Sequence, residues 1–526
     1  MNSFRYLIAF LIVILNGGSA FAASGLFPKM PPATEVNAVN VHGDDPQAKM
    51  TAFALEGLVN QSRAEIYVID RPVDQGQLNG INRAINRMPM LSGANSGLRA
   101  LFKKYSAQVK KMFIYDPGKD WTFFLALMAA AQQHGIPVTE ENASSLASEF
   151  GWKGEVEDFR NVGSNRIEGY DWALANLMPG CSRKIVFTVP MSGGIPLFDY
   201  VAASKGFVFR LNFKKPDELG EVNKIFSTKG YTVGTSLMGY NGDGVNSVAN
   251  KYGIGYVVSD YYANGSFWSS FPNKIHHQAA GNSSDAVPGK IYVALNWSDG
   301  DNIQFDQIGI YELWHDPARG TVPVATTLAP TLQELNPPLL DWYYSKMTAN
   351  DELIAGGSGF QFIYGRDYND DLFPAWCDLN KVWLADAGFH AACVWVTPYP
   401  GKKYATYIKT CGLMGIFHNY NSIQVRYETG LPVVNEGTAS WTEQELYHYL
   451  STQTPKKSGP VFISSTCIVE GFLEGGGGGY TKIKRVVDRL NAAYPGRYVF
   501  MLPKDFFATI RSYYHLSPDP SLLSPP

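Results

Sequence analysis

The sequence has no surplus of charge of either sign. Its 44 basic and 47 acidic residues leave a formal net charge of −3, without a basic block. Nothing in it draws the chain to a nucleic acid or an anionic membrane, so the expected partner is a small neutral ligand, with no nucleic acid and no membrane. Cysteine is scarce: Cys181, Cys377, Cys393, Cys411 and Cys467 are widely spread, with no C-x-x-C among them. That excludes a zinc knuckle or a dithiol redox motif, and the odd number leaves at least one thiol unpaired. None of the nine histidines forms an H-x-x-x-H or H-E-x-x-H pair, which removes the common zinc-hydrolase pattern. The nucleophile elbow G-x-S-x-G is also missing, since Gly356-Gly-Ser-Gly359 does not match it. Gly475 to Gly479 lacks the Lys-Ser/Thr ending of a phosphate loop and reads as a flexible loop, a lid over a site.

Long apolar runs are lacking as well. Arg5 precedes the run Tyr6 to Leu15, which is too short to span a bilayer of about 30 Å. It leads to Ala20-Phe21-Ala22, small residues at the two positions a signal peptidase reads. Residues 1–22 are therefore expected to be a signal peptide, and the mature protein to be exported to the periplasm or beyond the cell.

What is present is globular. Hydrophobic residues make up 45% of the chain, charged ones 17% and aromatic ones 13%. The aromatic content suits sugar binding and large cores equally. At 526 residues the chain exceeds what one core organises, so at least two domains are expected.

After an extended lead-in over residues 23–34, helical and β-type segments alternate. Lys49–Val59 reads as a helix and Ala64–Ile69 as a strand; Lys111–Tyr115 leads through Asp116-Pro117-Gly118 into the helix Trp121–His134. Further β-type runs follow at Lys184–Val189, Phe207–Phe213, Tyr231–Met238 and Ile254–Ser259. Composition then turns to Asn, Gly, Ser, Ala and Pro around His276-His277, which is linker chemistry. We place an N-terminal α/β domain at 35–275 and a C-terminal domain at 276–526. The latter carries eight β-type runs: Ile291–Trp297, Val322–Leu328, Leu353–Gly356, Ala392–Val396, Gly415–His418, Leu431–Asn435, Val461–Thr466 and Tyr498–Leu502. That number fits a (β/α) barrel of seven or eight strands, with an open doubly wound sheet as the alternative.

The first of these runs ends in Ser298-Asp-Gly-Asp-Asn302. Strand ends in parallel α/β folds are where ligands sit, although Asp-Gly also makes ordinary turns. Other strand ends in the same half are polar. Ser358 and Phe360 follow the third, Tyr399 the fourth, His418 and Asn419 the fifth, Glu436 the sixth and Glu470 the seventh. Two carboxyl groups flanking a bond are what glycoside hydrolysis requires. Asp301 and Glu436 are the expected pair, with Asp299 beside them; Trp297, Asn302, Ser358, Phe360, Tyr399, His418, Asn419 and Glu470 are expected to meet substrate. Asp351 and Glu352 precede their strand and are expected at the opposite, structural face. No cofactor is required, while a hard ion such as Ca²⁺ or Mg²⁺ at Asp299 and Asp301 is left open.

Gly357-Ser-Gly-Phe-Gln-Phe-Ile363 resembles the signature of the GxGYxYP putative glycoside hydrolase family. Both glycines align; Phe360 and Phe362 stand where the signature has tyrosine, and Ile363 where it has proline. Trp297–Asn302 is similar to that family's acidic strand end, and Leu55-Glu-Gly-Leu-Val-Asn60 to the opening of its N-terminal companion domain. The resemblance implies an exported bacterial protein that handles carbohydrate through a barrel-like C-terminal domain. The expected function is hydrolysis of glycosidic bonds. A metal-dependent carbohydrate esterase or deacetylase and a non-catalytic glycan-binding protein are the alternatives.

Overall fold

A computed structural model describes residues 25–80, 86–87, 90–92, 97–190, 197–240, 244–395, 401–418, 424–428, 431–435 and 439–516. Among them, four sheets form, each built on parallel strands. The first contains β1 (Glu35–Asn40), β2 (Ile66–Ile69) and β3 (Asn86–Arg87), with β1 central. The second contains β4 (Lys111–Ile114), β5 (Gly135–Val138) and β6 (Glu155–Asp158), with β4 central. The third takes β7 (Ile185–Thr188), β8 (Phe207–Phe209), β9 (Ser236–Gly239) and β10 (Gly255–Val258) in the order β10-β9-β7-β8. The run read from the sequence as Tyr231–Met238 thus contributes only its end to a strand, because Gly234 takes a φ of +96° just before it.

The helix Pro46–Asn60 joins these sheets. It carries two small residues, Ala54 and Gly57, on a surface pressed against the helix Phe198–Ser204, and it is buried along most of its length. A Cβ at Gly57 would stand 2.1 Å from the Asp199 carbonyl oxygen. The lead-in is tied to the far half of the chain, since the Gly25 and Phe27 amides both donate to the Glu334 carboxylate, at 2.8 and 2.9 Å.

The fourth sheet holds β11 (Ile291–Trp297), β12 (Val324–Leu328), β13 (Asp351–Ala355), β14 (Ala391–Val394), β15 (Gly415–His418), β16 (Gln424–Glu428), β17 (Leu431–Asn435), β18 (Val461–Cys467) and β19 (Tyr498–Met501). Its order is β16-β17-β15-β14-β13-β12-β11-β18, with β19 also on β11, and only β16 runs antiparallel. Every residue of β11 is buried, as expected of a continuous apolar run in a strand covered on both faces. The sheet curls into a nearly closed barrel. Asn296 on β11 reaches across to Cys393 on β14, Nδ2 to Sγ 3.3 Å, and to Thr466 on β18, 2.9 Å. Beyond β17 a single bridge, Ser440 with Cys467, completes the circuit in place of a ladder. The C-terminal half is thus the barrel-like α/β domain that the spacing of β-type runs predicts.

Candidate active site

The loop Ser298–Asn302 is fixed at both ends. The Ser298 amide donates to the Cys467 carbonyl on β18 at 3.0 Å, and the Gly300 amide to Thr327 Oγ1 on β12 at 3.0 Å. Thr327 in turn donates to the Trp297 carbonyl at 2.7 Å. Asp299 adopts a left-handed φ of +68°, a conformation Asp tolerates better than most residues. Gly300 has no room for a side chain, because a Cβ there would lie 2.0 Å from the Thr327 carbonyl oxygen. Two tight constraints therefore present Asp299 and Asp301 at the carboxyl end of β11.

The signature loop packs directly on this one. Gly357 and Ser358 have φ of +46° and +84°. A Cβ at Gly357 would stand 2.4 Å from Asp301 Cβ. Glycine is needed there because the Asp301 side chain lies directly against it.

Both loops also bind the edge of β10, in the sheet preceding the barrel. Phe362 forms an antiparallel bridge with Tyr256, and Asn302 a parallel bridge with Val258. Gln361 Nε2 donates to the carbonyls of Gly234 and Thr235 at 3.2 and 3.0 Å and to Ser236 Oγ at 2.7 Å, while its Oε1 accepts from Trp376 Nε1 at 3.1 Å. The carboxyl end of β10, with Asp260 two residues beyond it, thereby lies near the acidic loop of the barrel.

Three aspartates of the loop region influence one another. Burial, offset by hydrogen bonds from the Ser298 hydroxyl and the Val469 amide and reinforced by the charge of Glu470, pushes the Asp299 carboxyl up to about 6. Burial and then the charge of Asp299 push Asp301 well above the usual carboxylate range. Asp306 is fully buried and is pushed up the same way, although its Oδ2 accepts from the Ala329 amide at 3.1 Å. Asp299, Asp301 and Asn302 keep some contact with solvent while protein surrounds them on most sides. They can meet a ligand without being bathed in water. Burial and the neighbouring charge favour the protonated form of Asp301, the state needed to donate a proton.

Other expected contact residues fall elsewhere. Trp297 is fully buried, edge-on to Phe472 and Tyr480 at 5.3 and 5.4 Å, so its ring faces are covered. Phe360 is stacked at 5.7 Å on Trp383 and 5.8 Å on Trp376 inside the domain. Ser358 is buried and its hydroxyl donates to the Ile363 carbonyl at 3.3 Å. His418 is buried at the end of β15. Glu470 is exposed, in the first turn of the helix Val469–Leu473, close enough for its charge to act on Asp299. Glu436, Tyr399 and Asn419 lie outside the described residues.

The sequence reading did not consider Tyr240, Tyr256, Asp260 and Tyr364. Tyr240 and Tyr364 are half-buried, and together with Asp260 and Asp301 they form the electrostatic surroundings of Tyr256. The signal for Asp260 was available, since it follows the apolar run Ile254–Ser259 as Asp299 follows β11. At the opposite end of the barrel, Asp351 pairs with Arg319 at 2.5 Å and Glu352 accepts from the Lys504 amide at 2.8 Å. Both acids are engaged by the scaffold. The Gly475–Gly478 turn, with four successive positive φ values from 70° to 83°, leads into the helix Gly479–Ala493. Asp316 already occupies that helix start, accepting from the Thr481 amide and hydroxyl at 2.8 Å each.

Among the described residues, no three His, Cys, Asp or Glu side chains gather in a metal-holding arrangement. No helix among them is long and apolar enough to cross a membrane. Cavities of about 490 and 580 Å³ lie among the N-terminal sheets, lined by residues such as Glu65 and His134 or Tyr115 and Arg160. Neither includes a residue of the acidic loop.

Comparison with known proteins agrees with this layout. The model of the GxGYxYP putative glycoside hydrolase C-terminal domain matches residues 289–511. Those of the GxGYxYP_N second domain and the GxGYxYP third domain match residues 109–181 and 184–270. Among solved structures, a putative hydrolase from Bacteroides thetaiotaomicron VPI-5482 superposes with a TM-score of 0.78 at 18% identity, over 93% of this chain and 97% of that one. That likeness shows a shared fold. A putative polysaccharide deacetylase from Mycobacterium smegmatis reaches a TM-score of only 0.32 at 10% identity, over 47% of this chain and 97% of its own. No curated protein matches the chain in sequence.

Proposed function

Since the chain belongs to the GxGYxYP family, we propose that it is an exported glycoside hydrolase whose proton donor is Asp301. The observation that carries this reading is the unequal setting of two carboxyl groups on one strand-end loop. Asp299 is pushed up to about 6, whereas Asp301, beside it, is pushed well above the usual range. Environments that separate the ionisation of neighbouring carboxyls mark acid and base roles in glycosidases.

In the proposed reaction Asp301 protonates the oxygen of the leaving sugar. Asp299, ionised above about pH 6, keeps Asp301 protonated and offers negative charge to the oxocarbenium-like transition state. Glu436, which follows β17 in the sequence, is the proposed base or nucleophile. Asn302 and the exposed Glu470 would bind sugar hydroxyls, and the half-buried rings of Tyr240 and Tyr364 would flank the sugar. Export is proposed from the leader at residues 1–22.

The test is turnover of a panel of glycans by wild type, Asp301→Asn and Glu436→Gln. Loss of about 10²–10⁴-fold in each variant, the usual contribution of a general acid or base, is expected. Full activity in both would remove the assignment.

A further inference from the structure

We propose that Tyr256, carried by β10 of the preceding sheet, is a positioning residue of the acidic site, its hydroxyl donating to the Asp301 carboxylate whenever Asp301 is ionised. This rests on the reading of Asp301 as proton donor.

The geometry brackets Asp301 between two anchor points on β10. Its neighbour Asn302 bridges to Val258, and the signature residue Phe362 bridges to Tyr256 through hydrogen bonds of 3.0 and 2.6 Å. The point where a Gly357 Cβ would stand is 2.4 Å from Asp301 Cβ and 3.2 Å from Phe362 Cδ2. Asp301 therefore lies against the segment that is paired with Tyr256.

The Tyr256 side chain is fully buried, and its hydroxyl has no hydrogen-bond partner among the described residues. Buried hydroxyls are seldom left in that state without a reason. The largest charges acting on it come from Asp260, then Asp301, Tyr240 and Tyr364, all of them acids. Asp301 in turn feels Asp299, and its charge acts on Asp306 and Tyr364. Asp260 and Asp301 are the carboxyl groups beside this donor, and of the two only Asp301 becomes newly charged in the proposed reaction. When Asp301 gives its proton to the leaving oxygen, the new carboxylate is enclosed by like charges, and the phenol can hydrogen-bond to it while keeping its own proton. Water entering for the second half-reaction returns a proton to Asp301 and releases the contact. The domain before the barrel would thus take part in the chemistry as well as in the packing.

The experiment uses full-length protein carrying aspartate labelled with ¹³C at the side-chain carboxyl. The resonance missing from Asp301→Asn identifies Asp301, and its titration is followed in wild type and in Tyr256→Phe. Loss of the phenol should raise the Asp301 midpoint by about one pH unit, roughly a tenfold change in acid dissociation, and leave the Asp299 midpoint and the melting temperature nearly unchanged. Replacing Tyr256 with 3-fluorotyrosine, which keeps the ring and strengthens the donor, should lower the midpoint. This second substitution also serves if the Phe variant does not fold. An Asp301 midpoint unmoved by the substitution would overturn the proposal. Because no substrate is needed, the two ideas separate: a shifted midpoint with full hydrolysis by Asp301→Asn removes the proton-donor reading alone, and an unmoved midpoint with an inactive Asp301→Asn removes Tyr256 alone.

Discussion

Gln361 and Trp376 share a hydrogen bond of 3.1 Å inside the domain, while the other end of the same Gln361 amide holds β9 through Gly234, Thr235 and Ser236. One side chain of the signature therefore joins the barrel to the sheet before it. Gln361→Ala should leave a buried indole N–H and several carbonyls without partners, at a cost of about 2–3 kcal/mol. Chemical denaturation would report it, and a loss below about 0.5 kcal/mol, the range of ordinary surface changes, would show that the joint carries little.

Gly357→Ala tests the contact between the two loops. The added methyl would meet Asp301 Cβ at 2.4 Å, at a residue whose φ is already +46°. We expect Asp301 to be displaced and turnover to fall at least tenfold, with a stability loss of about 1–2 kcal/mol from the left-handed backbone. Unchanged turnover with the loss in stability would mean that the loops can part without moving the acid.

The pH dependence of stability follows from buried carboxyls elsewhere. Glu352 is pushed up to about 8 and Asp199 to about 7, both mainly by burial. A carboxyl whose folded value lies above its unfolded value binds more protons in the folded state, so its stabilisation is greatest at low pH and falls as pH rises through the folded value. The protein should lose stability between about pH 4 and pH 8 on this account. Glu352→Gln, which stays neutral and can still accept from the Lys504 amide, should flatten part of that slope in melting curves. A slope equal to that of wild type would show that Glu352 does not titrate as its surroundings indicate.

The activity profile gives a separate sign. The charge of Asp299 raises Asp301, so Asp299→Asn should bring the alkaline limb of kcat/KM to lower pH, beyond any loss in rate. An alkaline limb that stays in place would mean that another group sets it.

Much of the barrel was legible in the sequence, because strands buried on both faces leave unbroken apolar runs. The eight runs read between Ile291 and Leu502 coincide within a few residues with β11 to β15 and β17 to β19. The antiparallel β16, Gln424–Glu428, carries Arg426 and Glu428 and shows no apolar run. β6, Glu155–Asp158, was missed for the same reason, since three of its four residues are acidic and the strand is exposed throughout. β5 was missed because Gly135 and Pro137 read as a helix stop. In the site, the acidic loop was visible since Asp and Gly follow a buried strand directly. The burial of Trp297 and Phe360 was not legible, because it depends on rings over 20 residues away or on the next helix, which no local spacing reveals. Tyr256 and Asp260 belong to a different sheet, and only the bridges from β10 to Phe362 and Asn302 bring them to the loop.

The most direct measurement of the central claim is the rate of glycoside hydrolysis by Asp301→Asn beside wild type, on a cleavable glycan and with the circular dichroism of both proteins matched. A folded variant whose turnover is lower by about 10²-fold or more is expected. A folded Asp301→Asn protein that cleaves at the wild-type rate would contradict it.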